Sequence, residues 1–316
     1  MNFHQLEYVI AISEEKSISK AAKKLYISQP SLSQYIIRLE NNLGVKLFDR
    51  TTSSIKLTFA GEKYLKTAKS ILNLNSQLRK ELSDIAGSKK GRIIIGIPIQ
   101  IGRYILPLVL PEFNNKFPEI KLSIQEDVTL KLEQMLLDGK IDIAILNLPI
   151  KNEKILYKPV CNERIFLVAP RNHPICSHKN YKRDQKLYIN SLKNEKFILL
   201  KQGQRMRLIA DNIFQQSHFK PNILLELTNV DTAHRIAAEG MGFAFIPENV
   251  IWLLNTDKYN NYFLIDNINS TIVIAYRQGE YITKATCEFI NMVKRIVQLN
   301  CKLKVNNDRV YNKIYI

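Results

Sequence analysis

Between residues 28 and 38 the chain carries Ser28, Gln29, Pro30, Ser31, Ser33, Gln34 and Arg38, a set suited to reading base pairs. Glutamine can bond adenine through its donor and acceptor together, and serine hydroxyls reach base edges or phosphate oxygens. Arg50 and Lys56 follow on either side of the polar run 51–54, where two cations could sit against a nucleic-acid backbone. A second set lies far downstream. Gln100, Thr129, Gln202 and Asn229, with Ile99 and Ile101 as apolar walls, are the groups expected to hold a small molecule. For Thr129 and Asn229, simple helix capping is an equally open reading. Patterns for turnover are missing: there is no Gly-x-Ser-x-Gly, His-Glu-x-x-His or Gly-x-x-x-x-Gly-Lys-Ser/Thr. No catalytic residue, metal or cofactor is therefore expected. His173, Cys176 and His178 lie close together, but without an obvious fourth ligand they read as a polar surface loop. His218 and His234 are isolated and read as structural.

The first set needs helices to present it. Phe3, Leu6, Val9 and Ile10 fall on a helical period after Asn2, a good cap, which predicts a helix from residue 2 to about 13. A short second helix starts near Ser17 or Ser19 and buries Ile18, Ala21, Ala22 and Leu25; its two alanines allow another helix to approach closely. After the tight connection Tyr26-Ile27-Ser28, Ser28 caps a third helix. Pro30 is tolerated in its first turn, Leu32, Ile36, Leu39 and Leu43 form its apolar face, and Gly44 ends it. That order is the helix-turn-helix layout. Residues 45–50 and 55–57 then suggest a small hairpin, a wing placing Arg50 and Lys56 near the backbone. Period alone would equally suit an ordinary surface helix and an ordinary hairpin.

The whole segment is more specific than its periods. Gln5-Leu6, the run Ser17 to Leu25, Ser28-Gln29-Pro30-Ser31-Leu32-Ser33, Ile36, Arg38-Leu39-Glu40, Leu43-Gly44-Val45, Leu47-Phe48-Asp49-Arg50 and Leu57-Thr58 to Gly61 resemble the winged helix-turn-helix of LysR-type transcriptional regulators. The resemblance implies double-stranded DNA as partner. Three positions depart from it: Gln34 and Ser53 stand where the family often has Arg, and Ile37 where it often has a basic residue. Fewer phosphate contacts are expected from these, with more reliance on Arg38, Arg50 and Lys56.

From residue 58 to about 85 there is no proline, and Gly61 is the sole glycine. Tyr64, Ala68, Ile71, Asn75, Leu78, Leu82 and Ile85 are spaced four and three alternately, one heptad seam. At ~1.5 Å per residue the helix would be about 40 Å long and needs something to cover its seam. Either the chain's own following domain or a second copy would serve. The resemblance implies the latter, a homodimer through this helix and, beyond it, a homotetramer. Asn75 in the seam would select one register.

Beyond the Gly- and Lys-rich segment 86–92 the pattern becomes strand, helix, strand, implying a parallel sheet covered by helices. Strands are expected at 93–97, 121–125, 141–146, 165–169, 197–200, 223–227, 242–246 and 271–276. Helices are expected at about 102–117, with Pro107 and Pro111 interrupting the early turns, and at 129–138, 206–217, 230–239 and 282–299. Two adjacent α/β domains would satisfy this pattern. Gly91-Arg92-Ile93, the Pro118 turn, Asp138 to Ala144 and Ala238 to Phe243, however, resemble the LysR effector-binding domain. That resemblance implies two lobes joined by two chain crossings, like periplasmic binding proteins, with a small-molecule effector between them. A large amide at Gln100, where the family often has Ser or Thr, implies a smaller effector.

The expected fold class is thus α/β with a helix-rich winged helix-turn-helix at the N-terminus and a two-lobed effector domain. The expected divisions are 1–58, a linker helix and hinge at 59–90, and an effector domain at 91–300. Its lobe I would comprise about 91–161 and 267–300 and its lobe II about 162–266, leaving a tail, 301–316. Composition agrees with a polyanionic partner: among 316 residues, 46 Lys and Arg face 29 Asp and Glu, and 16 of those cations against 8 acids fall in the first 92. No apolar run approaches the ~20 residues of a membrane span, and the N-terminus does not read as an export signal, so a cytoplasmic protein is expected. The four cysteines are scattered, as suits a reducing compartment.

Overall fold

The computed structural model describes residues 2–50, 55–87, 90–170, 172–176, 189–253 and 262–314, with the side chains of 252, 253, 266, 267, 269 and 300–314 excepted. The chain divides into two compact units, Met1–Ser88 and Lys89–Ile316, each taken by itself.

The first unit opens with α1 (Phe3–Glu15), started by a reciprocal cap in which Asn2 and Gln5 each satisfy the other's end of the turn. Ser17 caps α2 (Ile18–Lys24) and Ser28 caps α3 (Gln29–Leu43), which ends at Gly44 with φ +69°. Strands β1 (Phe48–Asp49) and β2 (Lys56–Leu57) pair antiparallel, Phe48 opposite Leu57 and Asp49 opposite Lys56. The long α4 (Phe59–Ile85) follows. Val9, Ile12, Ala21, Ala22, Leu32, Ile36, Leu39, Leu47 and Phe48 make one core. Phe3 and Leu43, expected on the apolar faces but placed at the ends of their helices, are 46% and 43% exposed. Gly61 allows the start of α4 to lie against the chain before the wing, since a Cβ there would collide with the Leu47 carbonyl oxygen.

The heptad seam of α4 divides. Ala68 is buried and Tyr64 packs against the unit's own core, whereas Leu78, Leu82 and Ile85 are exposed, joined by Leu74, which the heptad reading passed over.

The second unit is built on an eight-stranded sheet. Its elements are β3 (Gly91–Ile97), α5 (Ile99–Lys116), β4 (Ile120–Glu126), α6 (Thr129–Leu137), β5 (Ile143–Asn147), β6 (Ile155–Val168), β7 (Lys196–Leu200), α7 (Arg205–Gln216), β8 (Asn222–Leu227), α8 (Val230–Ala238), β9 (Phe243–Pro247), α9 (Glu248–Leu253), β10 (Tyr262–Arg277) and α10 (Lys284–Ile314). The strand order is β4-β3-β5-β10-β6-β9-β7-β8. Pairing is parallel toward both edges, as the alternation of strands and helices predicts, but β6 and β10 run antiparallel through the centre. The sheet is therefore mixed, a correction to the all-parallel expectation. Sequence reading saw only the ends of β6 and β10. The first half of β6, including Leu156, Tyr157, Lys158 and Pro159, is largely exposed and carries no continuous apolar signal.

Besides a smaller cluster that packs Leu132 and Leu136 of α6 on Ala144, Leu146, Ile155, Val273 and Ala275, two larger hydrophobic cores flank these strands. One gathers residues of β3, α5, β5 and α10, with Ile272 and Ile274 from β10. The other gathers Ile165 to Ala169, Phe197 to Leu200, α7, α8 and β9, with Tyr262 and Phe263 from the other end of β10. Each long strand thus belongs to both lobes, and the β10–β6 register shifts between Leu264 and Asn269 where they cross. Pro107 and Pro111 lie inside a continuous α5 rather than interrupting it. The last helix continues through Ile314, past its expected end near residue 299.

Candidate DNA-binding and ligand-binding sites

In the first unit, burial of Leu32, Ile36 and Leu39 turns the rest of α3 outward. Ser28, Gln29, Pro30, Ser31, Gln34 and Arg38 are exposed, and Ser33 is half-buried. The Ser28 hydroxyl is committed to the helix start: it accepts from the Ser31 amide at 3.2 Å and lies 2.7 Å from the Ser31 hydroxyl. Two first-turn hydroxyls are thus held in one place at the positive end of the helix, where phosphate is favoured. Ile37 is also exposed, an apolar side chain on the outward face. Ser53 and the turn 51–54 lie outside the described residues.

Arg50 and Lys56 are both exposed, and Glu40 governs the first of them. The Glu40 carboxylate is buried at the end of α3, where Oε1 accepts from the amides of Leu47 at 2.8 Å and Phe48 at 3.1 Å. Its Oε2 lies 3.5 Å from Arg50 Nη2 and 3.6 Å from Lys46 Nζ. One carboxylate therefore ties α3 to the hairpin that follows it and orients Arg50. Tyr26, in the turn before α3, was not among the sequence candidates; it has φ +58° and is 95% exposed. An exposed aromatic beside the start of α3 is suited to a contact with a nucleic-acid backbone.

The second unit holds a cavity of about 360 Å³ between its two lobes, lined among others by Pro98, Ile99, Gln100, Arg103, Glu126, Asp127, Val128, Thr129, Asn147, Gln204, Arg205, Thr228, Asn229 and Asp231. Four helices begin here: α5, α6, α7 and α8. The first three have no side-chain cap, so their leading amides face the cavity region unpaired by side chains. At α8, Asn229 Oδ1 accepts from the amides of Asp231 at 2.8 Å and Thr232 at 3.1 Å. Asn229 therefore both lines the cavity and caps, whereas Thr129 is the first residue of α6 and the cap position belongs to Val128. Arg103 of α5 and Asp231 of α8 form an ion pair from one lobe to the other. Asn147 of β5 donates to Ser270 of β10 at 2.8 Å beneath them.

Of the downstream candidates, Ile99, Gln100, Thr129 and Asn229 are brought together in this cavity. Ile101 is buried and lines a smaller inner chamber of about 20 Å³ that shares Gln100, Asn147 and Arg205 with the cavity. Gln202 is placed elsewhere: it is exposed, and its amide oxygen accepts from Arg207 Nη2 at 2.8 Å. Gly203, at φ +86°, turns the chain so that Gln204 and Arg205 point into the cavity instead. The expected loop thus lines the cavity through Gln204 and Arg205 rather than through Gln202, and Arg205 was not among the residues expected from the sequence. The available signal was a cation directly following the last polar residue of a helix-starting loop.

Arg205 is mostly buried, its Nε has no hydrogen-bond partner, and burial pushes its guanidinium below the ordinary arginine value. Gln204 Nε2 donates to the Thr228 carbonyl at 2.7 Å, while its Oε1 is unpaired. Asn249, 5% exposed, lines the inner chamber with Oδ1 unpaired. Buried polar atoms are ordinarily satisfied, so these atoms, together with Glu163 Oε1 in the inner chamber, which accepts no hydrogen bond, mark a place for a polar ligand.

The other histidine and cysteine candidates are accounted for by packing. His173 Nε2 is 3.3 Å from Glu195, and the Cys176 thiol, which donates to the Pro170 carbonyl, is pushed up to about 11 by burial. His178 lies outside the described residues. His218 adopts φ +55° just beyond α7, and His234 is fully buried with Nε2 2.8 Å from the Tyr262 hydroxyl. Among the described residues no cluster of three potential metal ligands occurs, and no helix is long and apolar enough to cross a membrane.

Comparison with known proteins matches both units. Residues 3–62 fit the family described as bacterial regulatory helix-turn-helix protein, lysR family, and residues 86–298 fit the LysR substrate binding domain. A probable RuBisCO transcriptional regulator of Trieres chinensis is 33% identical over 253 residues, 78% of this chain and 81% of that protein. The hydrogen peroxide-inducible genes activator of Haemophilus influenzae is 28% identical over 281 residues, 88% of this chain and 91% of that one. Among solved structures, the OxyR C206 mutant of Corynebacterium glutamicum superposes with a TM-score of 0.60 at 27% identity, covering 97% of this chain and 95% of that one.

Proposed function

Since the chain belongs to the LysR family of transcriptional regulators, we propose that it binds an interrupted palindrome as a homodimer or homotetramer and changes the bend of that DNA when a small molecule occupies the interlobe cavity. Domains at 1–58, 59–90 and 91–300 divide the work of DNA reading, dimerisation and effector binding. Ser28, Gln29, Pro30, Ser31, Ser33, Gln34 and Arg38 face the groove, with Arg50 and Lys56 on the backbone. Ile99, Gln100, Thr129 and Asn229 contact the effector, Ile101 backs them, and Gln204 and Arg205 take the place first given to Gln202. The protein works in the cytoplasm without a cofactor and without catalysis.

The observation that carries this reading is the pairing, in one chain, of an outward polar helix face with a separate cavity whose buried polar atoms lack partners. Dimerisation is supported by the exposed stripe Leu74, Leu78, Leu82 and Ile85 on α4, an apolar seam that a second α4 would cover. A ligand acts only if it prefers one arrangement of the oligomer over another, and the two lobes joined by β6 and β10 provide an element whose closure it could favour.

The peroxide-inducible relative raises thiol oxidation as an alternative trigger. None of the described residues lining the cavity is a cysteine, and a thiol raised to about 11, as Cys176 is, reacts poorly. A bound molecule is the input this geometry favours.

The test is a gel shift of the full chain on DNA from its own upstream region against scrambled competitor at matched ionic strength. Preference for the upstream region is expected, and equal affinity for both would refute the regulatory reading. The slope of log affinity against log salt should fall by about one unit on Arg38→Gln if Arg38 neutralises a phosphate.

A further inference from the structure

The charges around the cavity do not balance locally. Asp127 pairs with Lys131, Asp231 pairs with Arg103, and Arg207 takes Asp211 and Glu226. Glu163, the buried acid at the inner chamber, has an interaction partner of its own. Arg205 is left on the inner side as a guanidinium with no carboxylate partner among the described residues and a shielded, unpaired Nε. On the opposite lobe the Glu126 carboxylate stands exposed, its Oε1 3.5 Å from where a Gly102 Cβ would be.

We infer that the cleft selects a small molecule with a single anionic head, a carboxylate or a phosphate, held by Arg205, and with no negative charge at the end that meets Glu126. This rests on the reading of the cavity as the effector site and adds the chemical class of its ligand. A planar guanidinium matches both oxyanions through paired N–H donors, and removal from water makes it costly to leave unmatched. Gln204 Oε1 and Asn249 Oδ1 are acceptors, so they suit a hydroxyl or amino group beside that head rather than a second anion. The starts of α5, α6 and α7, which no side chain caps, add the positive ends of their helix dipoles at the same place. The volume, about 360 Å³, lies at the small end of ligand pockets, which run from roughly 300 to 1,000 Å³.

Calorimetric titration of the full chain tests this, with inorganic phosphate, succinate, 4-aminobutyrate, putrescine and ribose as probes at constant ionic strength. Saturable binding is expected for 4-aminobutyrate or phosphate and not for putrescine or ribose. It should weaken about tenfold or more in Arg205→Gln and less in Arg205→Lys. Succinate, with an anion at both ends, should bind more weakly than 4-aminobutyrate and gain in Glu126→Gln. Because an unmatched buried charge is removed, Arg205→Gln should melt no lower than the parent protein without ligand, which separates lost binding from lost folding. Binding of ribose or putrescine that Gln100→Ala weakens and Arg205→Gln leaves unchanged would overturn the anion assignment and keep the effector reading. Binding by no probe, or anion binding indifferent to both variants, would overturn the assignment; indifference of every bound probe to Gln100→Ala would also count against the cavity as effector site.

Discussion

The recognition helix and the interlobe cavity use the same residue types in opposite ways. Along α3 the polar groups point outward from one continuous helix, and their spacing is set by local geometry once Leu32, Ile36 and Leu39 are buried. Around the cavity they come from the starts of four helices spread over more than a hundred residues, so their distances are set by the sheet. A surface reader can be assembled from one segment. A pocket requires the whole unit to fold before any of its contacts exist.

The contrast can be broken most sharply at Glu40, where the outward reader depends on a buried group. Glu40→Ala leaves the Leu47 and Phe48 amides and the Arg50 guanidinium without their acceptor, at about 3 kcal/mol or more. The first unit should melt earlier and specific DNA affinity should vanish, while cavity ligands still bind; a chain that keeps its DNA affinity would mean that Arg50 needs no positioning.

A comparable effect belongs to the pocket unit and responds to pH. Burial, reinforced by Arg235, lowers the His234 pKa to about 4 from the ordinary 6.5. The unfolded chain therefore binds the proton first, so this contribution is complete above pH 6.5, declines as pH falls toward 4, and amounts to on the order of 3 kcal/mol. Urea midpoints at pH 7 and pH 4.5 should differ less in His234→Gln than in the parent protein. An unchanged difference would remove His234 as the source.

Smaller effects sharpen the reader itself. Gln34→Ala should cost about 1–3 kcal/mol on the preferred site and little on scrambled DNA, if Gln34 reads a base rather than a phosphate. Footprints and competition binding distinguish these outcomes. Smallest is Asn75→Leu, expected to strengthen the dimer by about 1 kcal/mol while loosening its register. Sedimentation and cross-linking between copies measure both, and a dimer unaltered in each would take Asn75 out of the seam.

How much was legible in the sequence differs along the same line. The helices of the first unit, the caps at Asn2 and Ser28 and the stop at Gly44 were readable because short-range rules place them. The α4 seam was readable as a stripe but not in its division, because Tyr64 packs against a core of distant residues and Ala68 is buried by the fold. In the second unit most strands were found, yet the central antiparallel pair was not. Exposed stretches of β6 look like loop until a neighbour supplies its hydrogen bonds. The cavity loops were located from strand ends and helix starts, but Gln202 and Gln204 are chemically equivalent on paper. The left-handed turn at Gly203 decided between them.

By itself, then, the order of residues determined most of the helices and the outer strands, which face of α3 is polar, and the family to which the chain belongs, since each depends on neighbours a few positions apart. Only the tertiary structure decided that Glu40 holds the wing and that Arg205 stands unmatched beside Gln204 and Asn249. Those are facts of distance between remote residues, and the energy of a charge depends on whether water or a partner lies within reach.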